Sequence, residues 1–387
     1  MSSVKDVMKA RVLQEFKNPQ WQKLPASKEA IKGTVEEVDP PDLDLMTTAI
    51  MDEITEMFWT PEVRKQYHNI KGLDPKGDVT LLVVPTDKPE KATVVEKPLE
   101  NALQRYSKAY DMGLTLTQLR VKVNSGVGEQ PYGILVGLKG ACNRGKNLLS
   151  DSDSMSKINR EIKDLEDNGK KVKNVIIGSI ENFILPAKTK IGNKSYKDDI
   201  DFGACIYVDL AAKKVRYRLS HGTPLPKDFV NFAQSFGFEN NDDGKNAYGL
   251  ITVGDCMHYT LSVSSGDWHQ WVLKSGRSRF AILEECNTQM LKHRPLPFMK
   301  PPKITRGRSS SASSGVGAHT AGQRTSRSRS RGQEVSSTVA GQEKGTARSS
   351  STHSRRQSST GKAKSKEGKP NGGAEKEKKH GKTSPYM

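Results

Sequence analysis

Gly140-Ala-Cys-Asn-Arg-Gly145-Lys146-Asn147 is the stretch of this chain that comes closest to a known catalytic motif. It nearly matches the phosphate loop GxxxxGK[ST], in which backbone N–H groups cradle phosphates and a hydroxyl binds magnesium. Asn147 stands where the hydroxyl belongs. The acidic run Leu148-Leu-Ser-Asp-Ser-Asp-Ser154 follows where a helix should begin. Without a helix N-terminus the anion site loses its dipole and its aligned donors. The expectation is therefore an exposed basic turn between strands, with Ile134–Leu138 as the strand before it. Any phosphates met by Arg144 and Lys146 would then belong to a nucleic acid backbone.

Cys256, His258, His269 and Cys286 include the residue types of a zinc site. Zinc needs four ligands in a tetrahedron, usually delivered by tight pairs such as C-x2-C. Cys256-x-His258 would share one face of a strand, but the other two candidates lie 11 and 17 residues further on. Core or loop roles are expected, and no metal or other cofactor. Asp255, His258 and nearby serines are close in sequence without forming a nucleophile–base arrangement. The reading is of a protein that is not an enzyme.

The last quarter of the chain carries the strongest chemical signal. Residues 301–387 hold 19 Lys or Arg against 5 Asp or Glu, so most of the chain's net charge of +18 lies there. The run Arg324-Thr-Ser-Arg327-Ser-Arg329-Ser-Arg331 alternates guanidiniums with hydroxyls. Arg355 and Arg356 follow, then Lys362, Lys364, Lys366, Lys378 and Lys379. These eleven residues are the candidate nucleic-acid contacts, because a polycation of this kind neutralises phosphates. Ser326, Ser328, Ser330 and Ser358 are candidate phosphorylation sites for basophilic or SR-type kinases. Each phosphate adds about −1.5 to −2 charges, so a handful would cancel the tail's excess. With Tyr386 as its one aromatic group, the tail should bind RNA without base stacking and without sequence preference.

So few apolar groups cannot offset about 1–2 kcal/mol of backbone entropy per ordered residue, so the tail is expected to be disordered. The first 300 residues are long enough for one large core or two smaller ones. Four scattered cysteines suggest a reducing compartment. No run of eighteen apolar residues is present, and the start lacks the apolar core of a signal peptide. A soluble protein of the host cytoplasm or nucleus, or of a virion, is expected.

Helical spacing marks residues 2–17, with Val4, Val7, Met8, Val12 and Phe16 on one face. A second helix starts near Asp42, and Thr60-Pro61 closes it and opens a third. Val79–Val84 reads as a buried strand, and Pro98 as the start of a helix ended by Gly113. Further helices are expected around Met155–Leu165, over 227–236 and after Gly276. Strand composition marks Leu114–Val123, Tyr132–Leu138, Val172–Ile177, Ile180–Leu185, Cys205–Leu210, Val215–Leu219, Tyr248–Val253, Met257–Val263 and Trp268–Leu273. Ala211-Ala-Lys-Lys214 joins two of them as a hairpin, with Arg216 and Arg218 on a wet, basic face. Tyr217, Trp268 and Trp271 are read as core or half-buried.

The fold class expected is α+β and mainly antiparallel β, a sandwich or roll with N-terminal helices and a disordered basic tail. The regions are a helical part over 1–70, a β-rich body over 71–294, a proline-rich exit over 295–302 and the tail over 303–387.

The tail, Arg324–Arg331 with its lysine cluster, resembles the SR-rich segments of RNA-packaging proteins, viral nucleocapsid proteins among them. In the body, Ile177-Gly178-Ser-Ile180 and Ala211-Ala-Lys-Lys-Val-Arg-Tyr-Arg-Leu219 are similar to two strand regions of plant-virus movement proteins. That second resemblance implies a single jelly-roll and carries over no site residues. Together these readings describe a non-enzymatic, RNA-binding structural protein of an RNA virus whose body supplies self-association or a positioning surface. The alternative is a viral movement or matrix protein acting at anionic membranes or cell junctions.

Overall fold

Val79–Val84 has no polar alternation except Thr80, and such a run is suited to a strand covered on both faces. In the computed structural model all six residues are buried in an inner strand of a mixed sheet, one place from its edge. The structure describes residues 4–41, 47–191, 193–240, 246–293 and 295–299. The chain divides into one unit over 1–307 and a second over 308–387. All of the second unit lies outside the described residues, and with it every candidate nucleic-acid and phosphorylation residue of the tail.

The helices are α1 (Val4–Phe16), α2 (Thr47–Phe58), α3 (Pro61–Tyr67), α4 (Pro89–Tyr110), α5 (Ile134–Ser150), α6 (Ser152–Asp167), α7 (Lys227–Gln234), α8 (Val253–Leu261), α9 (His269–Val272) and α10 (Arg279–His293). The strands are β1 (Val79–Val84), β2 (Thr115–Arg120), β3 (Gln130–Pro131), β4 (Val172–Leu185), β5 (Lys190–Ile191), β6 (Lys194–Ser195), β7 (Ile200–Asp209), β8 (Lys214–Leu219), β9 (Thr223–Pro224), β10 (Phe238–Asn240) and β11 (Asn246–Gly249). The main sheet runs β2-β1-β4-β7-β8, with β9 added to β7. β1 pairs in parallel with both β2 and β4, while β4–β7 and β7–β8 are antiparallel.

The class is α+β, but the described sheet is mixed and has helices on both faces. It is not the antiparallel sandwich, roll or jelly-roll expected. Residue parity shows the layering. Leu82, Val84, Ile176, Ile180, Cys205 and Tyr207 pack in one core with α4 and α10. Leu81, Val83, Val175, Ile177, Phe183 and Ile206 pack in another with α2, α5 and α6. A third core joins α7, α8 and the segment around Trp268 to Val12 of α1.

Three expected strands are helical. Tyr132–Leu138 runs into α5, Met257–Val263 overlaps α8, and Trp268–Leu273 contains α9. Val253, Cys256, Met257 and Leu261 are buried at helical spacing, and a short apolar run does not separate the two periods. Tyr248–Val253 divides between β11 and the start of α8, and Val172–Ile177 with Ile180–Leu185 is one strand of 14 residues. α4 starts at Pro89, nine residues before Pro98, which is buried inside it.

The near-match to a phosphate loop lies within α5 rather than in a turn. Its glycines serve packing. A Cβ on Gly140 would sit 2.8 Å from Glu181 Cγ, and one on Gly145 would sit 2.7 Å from the Phe58 ring. Gly140 lets α5 lie close on β4 and Gly145 lets it lie close on Phe58 of α2, at a helix-propensity cost of about 1 kcal/mol each relative to alanine.

Other expectations hold. Thr60 caps α3 through its hydroxyl, with Pro61 in the first turn. α6 carries Met155, Ile158, Ile162 and Leu165 inward and is capped by Asp151. β7 and β8 form the expected hairpin. Arg216 and Arg218 are only half-exposed, because α10 packs on β8. α1 buries Val12 but leaves Val7 57% exposed.

Candidate anion-binding cleft

β1 ends at Val84, whereas β4, running parallel to it, continues to Leu185. Their pairing stops at Val83↔Ile177, so the second half of β4 projects beyond β1 with β7 alongside. Open sheets place ligands outside the carboxyl ends of their parallel strands. Here that position is a cleft of about 600 Å³. Glu181, Asn182 and Asp201 line it from the projecting strands, and Arg144 lines it from α5.

Three helices point their N-termini into the same cleft. α4 contributes Lys88 and Lys91, α8 contributes Thr252 to Asp255, and α10 contributes Arg279 and Phe280. Each N-terminus carries about half a positive charge and unpaired N–H groups. At α8 the Thr252 hydroxyl accepts from Asp255 N at 2.9 Å. At α10 the Asp267 carboxylate accepts from Arg279 N at 2.6 Å. No side chain caps α4, so its first-turn donors remain for a ligand.

The buried carboxylates of the cleft are already satisfied. Glu181 Oε2 accepts from Arg144 Nε at 3.0 Å and faces Nη2 at 2.9 Å, while Arg144 Nη1 donates to Val123 O at 3.1 Å. Asp201 Oδ2 faces His269 Nε2 at 2.8 Å and accepts from Asn182 Nδ2 at 3.3 Å. Lys88, Lys91 and Arg279 have no ion-pair partner among the described residues. Burial, reinforced by the Arg279 cation, pulls the Lys91 amine down to about 8. Two cations held close together with part of their hydration lost are electrostatically unfavourable unless a negative group lies between them.

Of the residues singled out from sequence, Arg144 reaches the cleft, carried there by α5. Lys146 is half-buried, and burial lowers its amine. Cys256 and His258 lie on α8, where two residues subtend roughly 200°, so they do not share a face as they would on a strand. Among the described residues no group of three or more His, Cys, Asp or Glu could hold a metal ion. Tyr217 and Trp268 are core residues, 5% and 3% exposed. Lys88 and Lys91 were missed, although Pro85-Thr-Asp-Lys88 joins a strand to a helix whose first turn holds Pro89. No described helix is long and apolar enough to cross a membrane.

No protein-family model matches the chain, and no curated protein matches it. Among solved structures it is similar to protein VC0702 from Vibrio cholerae, at 12% identity and a TM-score of 0.36, over 58% of this chain and 99% of that one. A likeness of that degree says nothing about what this chain does.

Proposed function

We propose that the folded unit is a phosphate-recognition domain whose cleft takes a nucleotide-sized phosphorylated ligand. The supporting observation is the convergence of three helix N-termini with Lys88, Lys91 and Arg279, none of them ion-paired among the described residues. The volume of about 600 Å³ is that of a small-molecule site. Phe280, Val127 and Leu225 add apolar lining for the rest of such a ligand.

Calorimetric titration of the full chain with pyrophosphate and nucleoside triphosphates, with and without magnesium, tests this. Saturable binding is expected. Losing one charge-assisted hydrogen bond, about 1.5–3 kcal/mol, should weaken it about tenfold to a hundredfold in Lys91→Met and Arg279→Met. Binding that both variants leave intact, or none at all, would overturn the reading. Phosphate release followed in the same samples would show whether the ligand is also turned over, against the sequence-based expectation of a non-enzyme.

The tail supports a second, compatible reading. Its charge excess and Arg-Ser repeats favour a sequence-independent hold on RNA, as in an RNA-binding structural protein of an RNA virus. In that reading serine phosphorylation releases the RNA, and the body supplies self-association or a positioning surface. Anionic vesicles serve as the control for the matrix or movement alternative. If vesicles bind and RNA does not, that alternative takes over.

A further inference from the structure

Behind the cleft floor, between β7, β9 and α10, lies a second and much smaller cavity of about 10 Å³, room for one water molecule. Asn182, Asp201, Thr223 and His269 all line it. They are 9%, 7%, 1% and 2% exposed. Three of their polar atoms find no partner among the described residues: His269 Nδ1, Asn182 Oδ1 and Thr223 Oγ1. Buried polar groups are almost always paired, with protein or with ordered water, because otherwise they lose hydration without return.

Donor and acceptor roles can be assigned atom by atom. A carboxylate only accepts, so Asp201 Oδ2 takes the Asn182 Nδ2 proton and the one between it and His269 Nε2 belongs to the nitrogen. Burial lowers the His269 pKa, leaving Nδ1 as a bare acceptor at neutral pH. Asn182 Oδ1 is also an acceptor, while the Thr223 hydroxyl can donate. Two acceptors and one donor are the complement of a single water.

We propose that this cavity is a built site for one water molecule. It donates to His269 Nδ1 and Asn182 Oδ1, accepts from the Thr223 hydroxyl, and so locks His269 in the Nε2–H tautomer that holds Asp201 at the cleft floor. His269 is then a positioning residue acting through Asp201. The charged groups facing it are Asp201 on β7, Asp267 before α9 and Arg279 at the start of α10. Trp268 covers the ring at 3.9 Å between centroids. The site stands apart from the phosphate reading, since every atom in it belongs to the unliganded chain.

The test uses the full chain labelled with ¹⁵N-histidine, with His269→Gln for assignment. His269 should show a neutral ring protonated at Nε2 at neutral pH. Water-oxygen relaxation dispersion should count one long-lived internal water fewer in Thr223→Val than in the parent. Thr223→Ser, which keeps the hydroxyl, should restore both that water and the parent His269 spectrum. A proton on Nδ1 at neutral pH would overturn the proposal, as would an unchanged water count and spectrum in Thr223→Val. If Thr223→Val fails to fold, the parent tautomer and the serine variant still decide. None of these readouts needs a bound phosphate, so a cleft that binds no anion would leave them intact.

Discussion

Removing Arg144 while leaving Glu181 strands a carboxylate in a site where it is 11% exposed. Arg144→Met keeps the length of the aliphatic stem and deletes both contacts to Glu181 Oε2, at 3.0 and 2.9 Å, together with the bond to Val123 O. Breaking a buried pair from one side costs about 3–5 kcal/mol, because the remaining charge is uncompensated. The pair keeps some contact with water, Arg144 being 20% exposed, so the low end, about 3 kcal/mol, is the expected loss. Glu181→Gln keeps shape and hydrogen-bonding capacity and strands a guanidinium nearer to solvent, so it should cost less, about 1–2 kcal/mol. The double variant has no unpaired charge and should recover about 2 kcal/mol relative to the sum of the singles. Urea unfolding at neutral pH, followed by tryptophan fluorescence of the folded unit, measures all four forms. Additive losses in the double variant would refute the argument, since they would show that arginine and carboxylate are solvated separately and do not shape the cleft floor together.

Lys91 gives a prediction whose sign can be stated. Its amine is pulled down to about 8, so pyrophosphate affinity should be full below that value and fall as pH rises through it. Lys91→Met should flatten that dependence in titrations at pH 7 to 9. In the unliganded chain the sign is opposite: a depressed lysine costs stability below about 8, and the cost fades as pH approaches the unfolded lysine's value. Gly140→Ala should lose about 1–3 kcal/mol in denaturant unfolding, because the new methyl meets Glu181 Cγ at 2.8 Å and Val127 Cγ2 at 2.9 Å. An unchanged midpoint would mean that α5 can lift off β4. Deleting 308–387 should remove most of the salt dependence of RNA binding, at a slope of about −0.7 per phosphate neutralised. Retention of the slope by the truncated protein in filter binding would place the RNA site on the folded unit.

Elements set by local chemistry were legible in the sequence. Val79–Val84 is apolar enough to be a covered strand whatever surrounds it, and Thr60-Pro61 caps and starts a helix through its own hydroxyl and fixed φ. α6 shows an apolar face at helical spacing bounded by Asp151 and by Gly169, whose φ is +75°. The hairpin around Ala211–Lys213 and the concentration of charge after residue 300 are equally local properties. Tertiary contacts decided the rest. α5 contains Gly137, Gly140 and Gly145, which argue against a helix until β4 and Phe58 are known to approach too closely for a side chain. Met257–Val263 reads as a strand because so short an apolar run fits either period, and only the core against α7 and Trp268 selects the helix α8. The parallel pairing of β1 with β4, 93 residues apart at Val79↔Val172, costs chain entropy that no local signal records. The cleft depends on that pairing. Lys91, Arg144, Asp201 and Arg279 are ordinary charged residues along the chain. They line one cleft because β4 outruns β1 and three helices begin where it does.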